Sequence, residues 1–371
     1  MIFSIQQASL AKALSIVSKG ISFNATTPIL TGIYLSAQNG TLELQSTDLT
    51  VSVRCKVPAN VEEEGSIVLS GKTLNNIVKH LGDTAITFST TTDEISSTCL
   101  ITSAFSKFSL IVLNPDEFPS FPEVQLDQTV ELPATLLSSM VEKVYKVTSK
   151  DTSRPILSGI YMTVENNVIR LVATDSFRLA VCDTNIETSA IIQGISMILP
   201  GMVFHDVLSI PSDTNTITIG SNENQIVFMF GDTTYVARKI EGQFPAYKNL
   251  IPSSCATSVS MLSDDFSGAL RRVTTISSNT SKVLCRIDQE KKQFILSTTS
   301  SDMSKATEAL SVDVTGNSLD IALNYRYVED CMSAIGPNTK IQLDLNATMQ
   351  PAVFKTWGTI NYLYLLMPVR M

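Results

Sequence analysis

The chain has 371 residues, 44% of them hydrophobic and only 17% charged. That length suits two or three folded domains with real cores, and the composition excludes a disordered chain. The formal net charge of −8, taken alone, argues against a nucleic-acid binder, because phosphate contact needs basic surface.

In chain order, QQASLAKALSIVSKGI at 6–21 predicts a helix, with Leu10, Leu14 and Val17 at a three-to-four residue period. PILTGIYL follows at 28–35, then the alternating strand GTLELQST at 40–47, which runs into QSTDLTVSVRC at 45–55. KTLNNIVKHLG at 72–82 predicts a second helix, and TAITFS at 84–89 a further strand. The same phrases then return. PATLLSSMVEKVYKVTS at 133–149 is helical, PILSGIYM stands at 155–162, and NVIRLVATD at 167–175 is a strand. VATDSFRLAVC occupies 172–182, PGMVFHDVLSI at 200–210 is the second helix, and NTITIGS at 215–221 another strand. Pro28 and Pro155, like Asp48 and Asp175, are separated by the same 127 positions, and EFP at 117–119 returns as QFP at 243–245.

A third copy is fainter. It comprises the helix LSDDFSGALRRVTTIS at 262–277, VLCRID at 283–288, FILSTTSSD at 294–302, the helix NYRYVEDCMSAIG at 324–336 and LMPVRM at 366–371. The chain reads as one unit written three times, with boundaries at 1–121, 127–252 and 253–371 in Pro-containing segments. The fold class expected is α+β, with two helices packed on antiparallel sheet in each of three repeated domains.

The charge is unevenly spread. The two helices of the first unit carry Lys12, Lys19, Lys72 and Lys79 and no acid. Each pair is two helical turns apart, and Lys143, Lys146 and Lys150 follow i, i+3, i+7 spacing, so each set is expected on one helix face. In the third unit the signal weakens to Arg271, Arg272 and Arg326 among several acids. Ordinary solvated faces are one reading. Loose contact with phosphates, without base reading, is the other.

Catalytic chemistry is sparse. His80 and His205 lack partners at metal-ligand spacing, and the sequence has no Gly-rich phosphate loop and no G-x-S-x-G elbow. Asp48 and Asp175 invite a carboxylate-pair reading, but Thr-Asp after a strand is also a common turn or cap. No cofactor and no metal are expected. The six cysteines form no C-x-x-C pair and are expected as small buried hydrophobes in a reducing, cytoplasmic setting. MIFSIQQASL lacks the pattern of a signal peptide, and no apolar run approaches the length of a membrane span.

Together, ATDSFRLAVC, EGQFPAYKNLIP and the terminal YLLMPVRM resemble the bacterial sliding clamp family, the beta subunit of the replicative DNA polymerase III, over the whole chain. The resemblance implies a head-to-tail homodimer closed as a ring around double-stranded DNA, held by topology and blind to base sequence. The lysines of units one and two, with Arg154, Arg271 and Arg272, would face the DNA. It also implies a non-enzymatic processivity factor for DNA replication. Its partners would be the polymerase catalytic subunit, the clamp loader and other proteins with a clamp-binding motif.

Their peptides would sit in an apolar groove between domains two and three. By the resemblance the groove is lined by Leu157, Thr174, Phe177, Arg178, Leu179, Pro245, Leu250, Pro351, Leu365, Met367, Pro368, Val369 and Arg370. The ring seam would bring Phe108 and Leu110 against Ile276, and Lys72 against Asp302 or Glu308. Two positions depart from the family pattern: Phe177, where relatives often carry His or Tyr, and Asn24, where some carry a DNA-contacting Arg. A three-domain peptide-binding scaffold without a DNA role is the alternative, and a β-rich enzyme using Asp48 or Asp175 is a third.

Overall fold

The computed structural model describes all residues except 23–26, 93–96, 152, 187–193, 210–213, 278–280 and 301–302. Asn24 and Asp302 therefore lie outside the described residues, as do the ends of the segments expected at 200–210 and 294–302. Among the described residues six α-helices form where the periodicity predicts them: α1 (Gln7–Val17), α2 (Gly71–His80), α3 (Ala134–Val144), α4 (Gly201–Leu208), α5 (Ser263–Thr274) and α6 (Tyr325–Ile335). Among the described residues every strand pair is antiparallel.

The chain condenses into two compact units, Met1–Thr135 with Asp206–Lys239, and Leu136–His205 with Ile240–Met371. In the first, a five-stranded sheet ends on Ser106–Ile111. An eight-stranded sheet joins Thr233–Arg238 to Val51–Pro58, so strands of the first and middle repeats pair directly. α1 buries Leu10, Ala13, Leu14, Ile16 and Val17, and α2 buries Leu74 and Val78. Asn75 donates from α2 to Ser18 Oγ at 2.8 Å, just past the end of α1.

In the second unit, a nine-stranded sheet joins Arg178–Asn185 to Asn361–Leu366, so the middle repeat also pairs with the last. A four-stranded sheet ends on Lys305–Ser311. α5 buries Phe266, Ala269, Leu270 and Val273, and α6 buries Val328, Cys331, Met332 and Ile335.

The repeated octets do the same work in both units. Each opens with a 3-10 turn, Pro28–Thr31 and Pro155–Ser158, whose last hydroxyl donates to the Pro carbonyl at 2.7 Å. The strand that follows begins at Gly32 or Gly159, where a Cβ would collide with Val68 or Ile198 on the neighbouring strand. Glycine is required there by close approach.

Candidate functional site

The Thr-Asp phrase is a turn, built identically twice. Asp48 Oδ1 accepts from the Thr50 and Val51 amides at 2.9 and 2.7 Å. Asp175 Oδ1 accepts from Phe177 and Arg178 at 2.9 and 3.0 Å. Each preceding threonine donates its hydroxyl to a carbonyl four residues on, and the residue after each Asp, Leu49 or Ser176, is left-handed at φ 73° or 79°. Both carboxylates are occupied by backbone donors, which suits a turn and leaves the carboxylate-pair reading without geometry. Among the described residues no group of three or more His, Cys, Asp or Glu could hold a metal ion.

What the second copy adds is Phe177-Arg178-Leu179. Successive strand residues point to opposite faces, and these divide accordingly. Leu179 is buried in an apolar cluster with Val172, Val181, Val353 and Leu365, over which Phe244 and Tyr247 pack. Phe244 stacks on Tyr161 at 5.0 Å between ring centroids. At the rim, Phe177 is 58% exposed, Leu250 54% and Met367 41%. The Met367 amide donates to the Phe177 carbonyl at 2.9 Å, which holds these two exposed apolar residues side by side. Val369 donates likewise to Ala322 at 2.8 Å and pins the C-terminal segment. Pro351, Pro368 and Val369 are half-buried, and Pro245 and Arg370 exposed. The result is an aliphatic and aromatic floor with an apolar rim, all within the second unit. It can take apolar side chains of an extended segment.

Two expected members behave differently. Arg178 is buried and saturated. It donates to Asp175 (2.9 Å), Asp330 (2.6 Å), Tyr364 Oη (3.2 Å) and the Lys146 carbonyl (2.7 Å), and it lies over the Tyr327 ring. Its side chain braces the turn from the helix side of the sheet. Leu157 is buried in its 3-10 turn, and its neighbour Ile156 is the residue that packs on the apolar cluster. Tyr161, Phe244, Tyr247, Ile251 and Val353 were not legible as floor, because in sequence they look like any core positions.

The basic residues also sort. Lys12, Lys72, Lys79, Lys150 and Arg271 are exposed. Lys19 pairs with Asp206 at 3.0 Å, Arg154 with Asp151 at 2.8 Å, and Arg272 with Glu308 at 2.5 Å. α3 ends at Val144, so Lys146 falls in a 3-10 turn and Lys150 beyond it; the three lysines do not share one helix face, contrary to expectation. Lys143 is half-buried, and burial lowers its pKa. Its ammonium donates to the Ala334 carbonyl at 2.7 Å, in the last turn of α6, where a cation is favoured. Lys146 donates to Ser333 Oγ at 3.1 Å.

The residues expected at a seam are accessible. Phe108 and Leu110 are half-buried on the edge strand Ser106–Ile111, beside Phe105 and Ile111, which are fully and 74% exposed. Ile276 is half-buried in the turn after α5. Five of the six cysteines are buried as expected; Cys255 is exposed. Among the described residues no helix is long and apolar enough to cross a membrane.

Three domain models match nearly the whole chain: the N-terminal domain of the DNA polymerase III beta subunit over residues 1–122, its central domain over 131–246 and its C-terminal domain over 248–370. The fold is thus of the clamp class, three α+β domains of helices and antiparallel sheet. The chain belongs to the DNA polymerase III beta subunit family. It is 29% identical over 380 residues to a protein of Staphylococcus epidermidis named beta sliding clamp, covering 100% of this chain and 99% of the other. The DNA polymerase sliding clamp of Bacillus subtilis superposes with a TM-score of 0.92 at 25% identity, over 100% of this chain and 99% of that one. A sliding clamp of Bartonella birtlesii, solved bound to griselimycin, does so with 0.90 at 28% identity over all of both chains.

Proposed function

We propose that this protein is a non-catalytic sliding clamp. Two copies close head to tail around duplex DNA and tether the replicative polymerase and other replication or repair proteins. The observation that carries the reading is the succession of three clamp domains over nearly the whole chain. We take those domains as 1–121, 127–252 and 253–371, working in the cytoplasm with the clamp loader as a further partner. The scaffold without a DNA role has no support among relatives named as sliding clamps.

Ring closure is supported by two sheet edges, Ser106–Ile111 and Lys305–Ser311, which among the described residues end their sheets. Such an edge offers unpaired backbone donors and acceptors to another chain. The apolar surface of Phe108 and Leu110 would meet Ile276 of the other copy, with Lys72 opposite Glu308. Lys12, Lys72, Lys79, Lys150 and Arg271, all exposed, would meet phosphates, and Lys19, Lys143, Lys146, Arg154 and Arg272 would join them from within the pairings described above. Weak, scattered cation contacts suit a ring that slides, whereas a dense basic lining would arrest it. The apolar floor and its rim of Phe177, Leu250 and Met367 would hold Leu and Phe side chains of partner peptides at roughly micromolar strength.

The test is retention on a nicked circular DNA loaded with the cognate clamp loader and ATP. Protein that stays on the circle and leaves once the circle is cut is held by topology. Protein that stays after cutting is an ordinary DNA binder, and the ring reading fails.

A further inference from the structure

Next to the apolar floor, on the same sheet face, lies a cavity of about 430 Å³ that shares Val181, Tyr247 and Ile251 with the floor and extends beyond it. Val181 and Leu363 line it; they sit two residues along from Leu179 and Leu365 and point the same way. The 3-10 turn Tyr247–Leu250 separates the two, with Leu250 on the groove rim and Tyr247 and Lys248 on the cavity wall. Trp357 stands over the cavity at 63% exposure and is the sole tryptophan of the chain.

The lining is cationic on a protein of net charge −8. Arg170, Lys248 and Lys355 face one acid, Asp183, which is already held by Arg170 at 3.2 Å and Asn361 at 3.0 Å. Lys355 is paired with the buried Asp344 at 2.7 Å. The ammonium of Lys248 has no ion pair among the described residues, and the residue is exposed.

We infer that this cavity is a second recognition site for the same partner peptides, taking an acidic, aromatic extension of the groove-binding segment; this rests on the peptide-groove reading above. A carboxylate of the extension pairs with Lys248 at the rim. A flat apolar side chain covers Trp357, whose exposed ring is a poor neighbour for water and a good stacking surface. The strands advance about 3.3 Å per residue, so the step from Leu365 to Asn361 corresponds to about four residues of extended peptide. Partners with such a flank would be preferred over partners that carry the core motif alone.

The single tryptophan makes the test direct. Full-length protein is titrated with a tryptophan-free core peptide that carries Leu and Phe side chains. The titration is repeated with the same peptide extended by Glu-Phe-Asp-Phe at its N-terminal or its C-terminal end. Calorimetry gives Kd and fluorescence reports Trp357. One of the two extensions should tighten binding about five- to tenfold and shift Trp357 emission to the blue. Lys248→Glu should remove that gain while leaving affinity for the core peptide unchanged, and Trp357→Ala should do the same in calorimetry. If the core peptide binds but neither extension changes Kd as much as twofold or moves the emission, the second site is refuted and the groove stands. If no peptide binds, both fall. If only an extended peptide binds, with the emission shift and the Lys248 dependence, the cavity stands and the groove reading fails.

Discussion

Arg178 is consumed by the fold. Its partners come from the turn it sits in, from α6, from the Lys146 carbonyl and from the strand Asn361–Leu366, so its loss strands Asp175 and Asp330 near a buried wall. Arg178→Met should cost about 2–4 kcal/mol, read as a lower urea midpoint, the range allowing for the partial exposure of Asp330. Phe177→Ala should stay within about 0.5 kcal/mol of the parent in the same assay. It should weaken Leu/Phe peptide binding about tenfold by calorimetry. If instead Arg178→Met cut affinity without lowering the midpoint, the guanidinium would belong to the groove. The thiols separate just as sharply. Burial pushes Cys99, Cys182 and Cys285 up to about 12, leaving them as thiols at any ordinary pH. Cys255 is exposed, with a pKa raised by partial burial and by Asp344. Native protein should therefore show one thiol reactive toward Ellman's reagent, faster as pH rises above the usual thiol value, and six after denaturation.

Among the elements, the strand Lys340–Leu345 carries the most exacting buried charge. Asp344 accepts from Ser258 (2.8 Å), Gln342 (2.8 Å) and Lys355 (2.7 Å). Burial disfavours its anion, but those three donors outweigh burial and hold the carboxyl below its ordinary value. A depressed carboxyl stabilises the fold at pH above its unfolded pKa, and that contribution fades as pH falls through the folded value. Asp344→Asn should lower stability at pH 7 by about 1–3 kcal/mol and flatten the acid limb of the stability curve, measured by denaturation between pH 3 and 7. A parallel limb in both proteins would refute this. Among the described residues, the six helices and the strands expected at 40–47, 84–89, 167–175 and 215–221 are legible in the sequence because their periods are strong. Partners of strands are not, since alternation tells which face is buried and says nothing about which neighbour lies alongside. The i, i+3, i+7 spacing of Lys143, Lys146 and Lys150 gives one face only if the helix continues, and α3 ends at Val144. In sequence, Phe177 stands out by contrast with the first repeat, whose TDLTVSVRC lacks Phe-Arg-Leu, while Leu250 and Met367 are implied only by the resemblance to the clamp family. The floor beneath them carried no such contrast.

At the scale of the molecule, the proposed seam is the vulnerable joint. Ile276→Asp would bury an unpaired carboxylate there, and sedimentation should show the dimer falling to monomer, with retention on circular DNA lost in parallel. An unchanged mass would move the seam elsewhere. The sheets shared between repeats bear on how the chain is made. Cys55 meets Thr233, and Asp183 meets Asn361, across the same separation of 178 residues. A ribosome adding about 5–20 residues per second needs roughly 10–35 s to cover that interval. For that time the strand Val51–Pro58 emerges into the cell with one side unpaired, and the strand Arg178–Asn185 waits likewise. Arg54 and Lys56 in the first, and Arg178 and Asp183 in the second, are the kind of charges that keep a naked edge from joining the wrong neighbour. Charges on these two strands would thus guard the nascent chain before they take up their places in the folded sheet, where Arg178 and Asp183 hold the ion pairs already described.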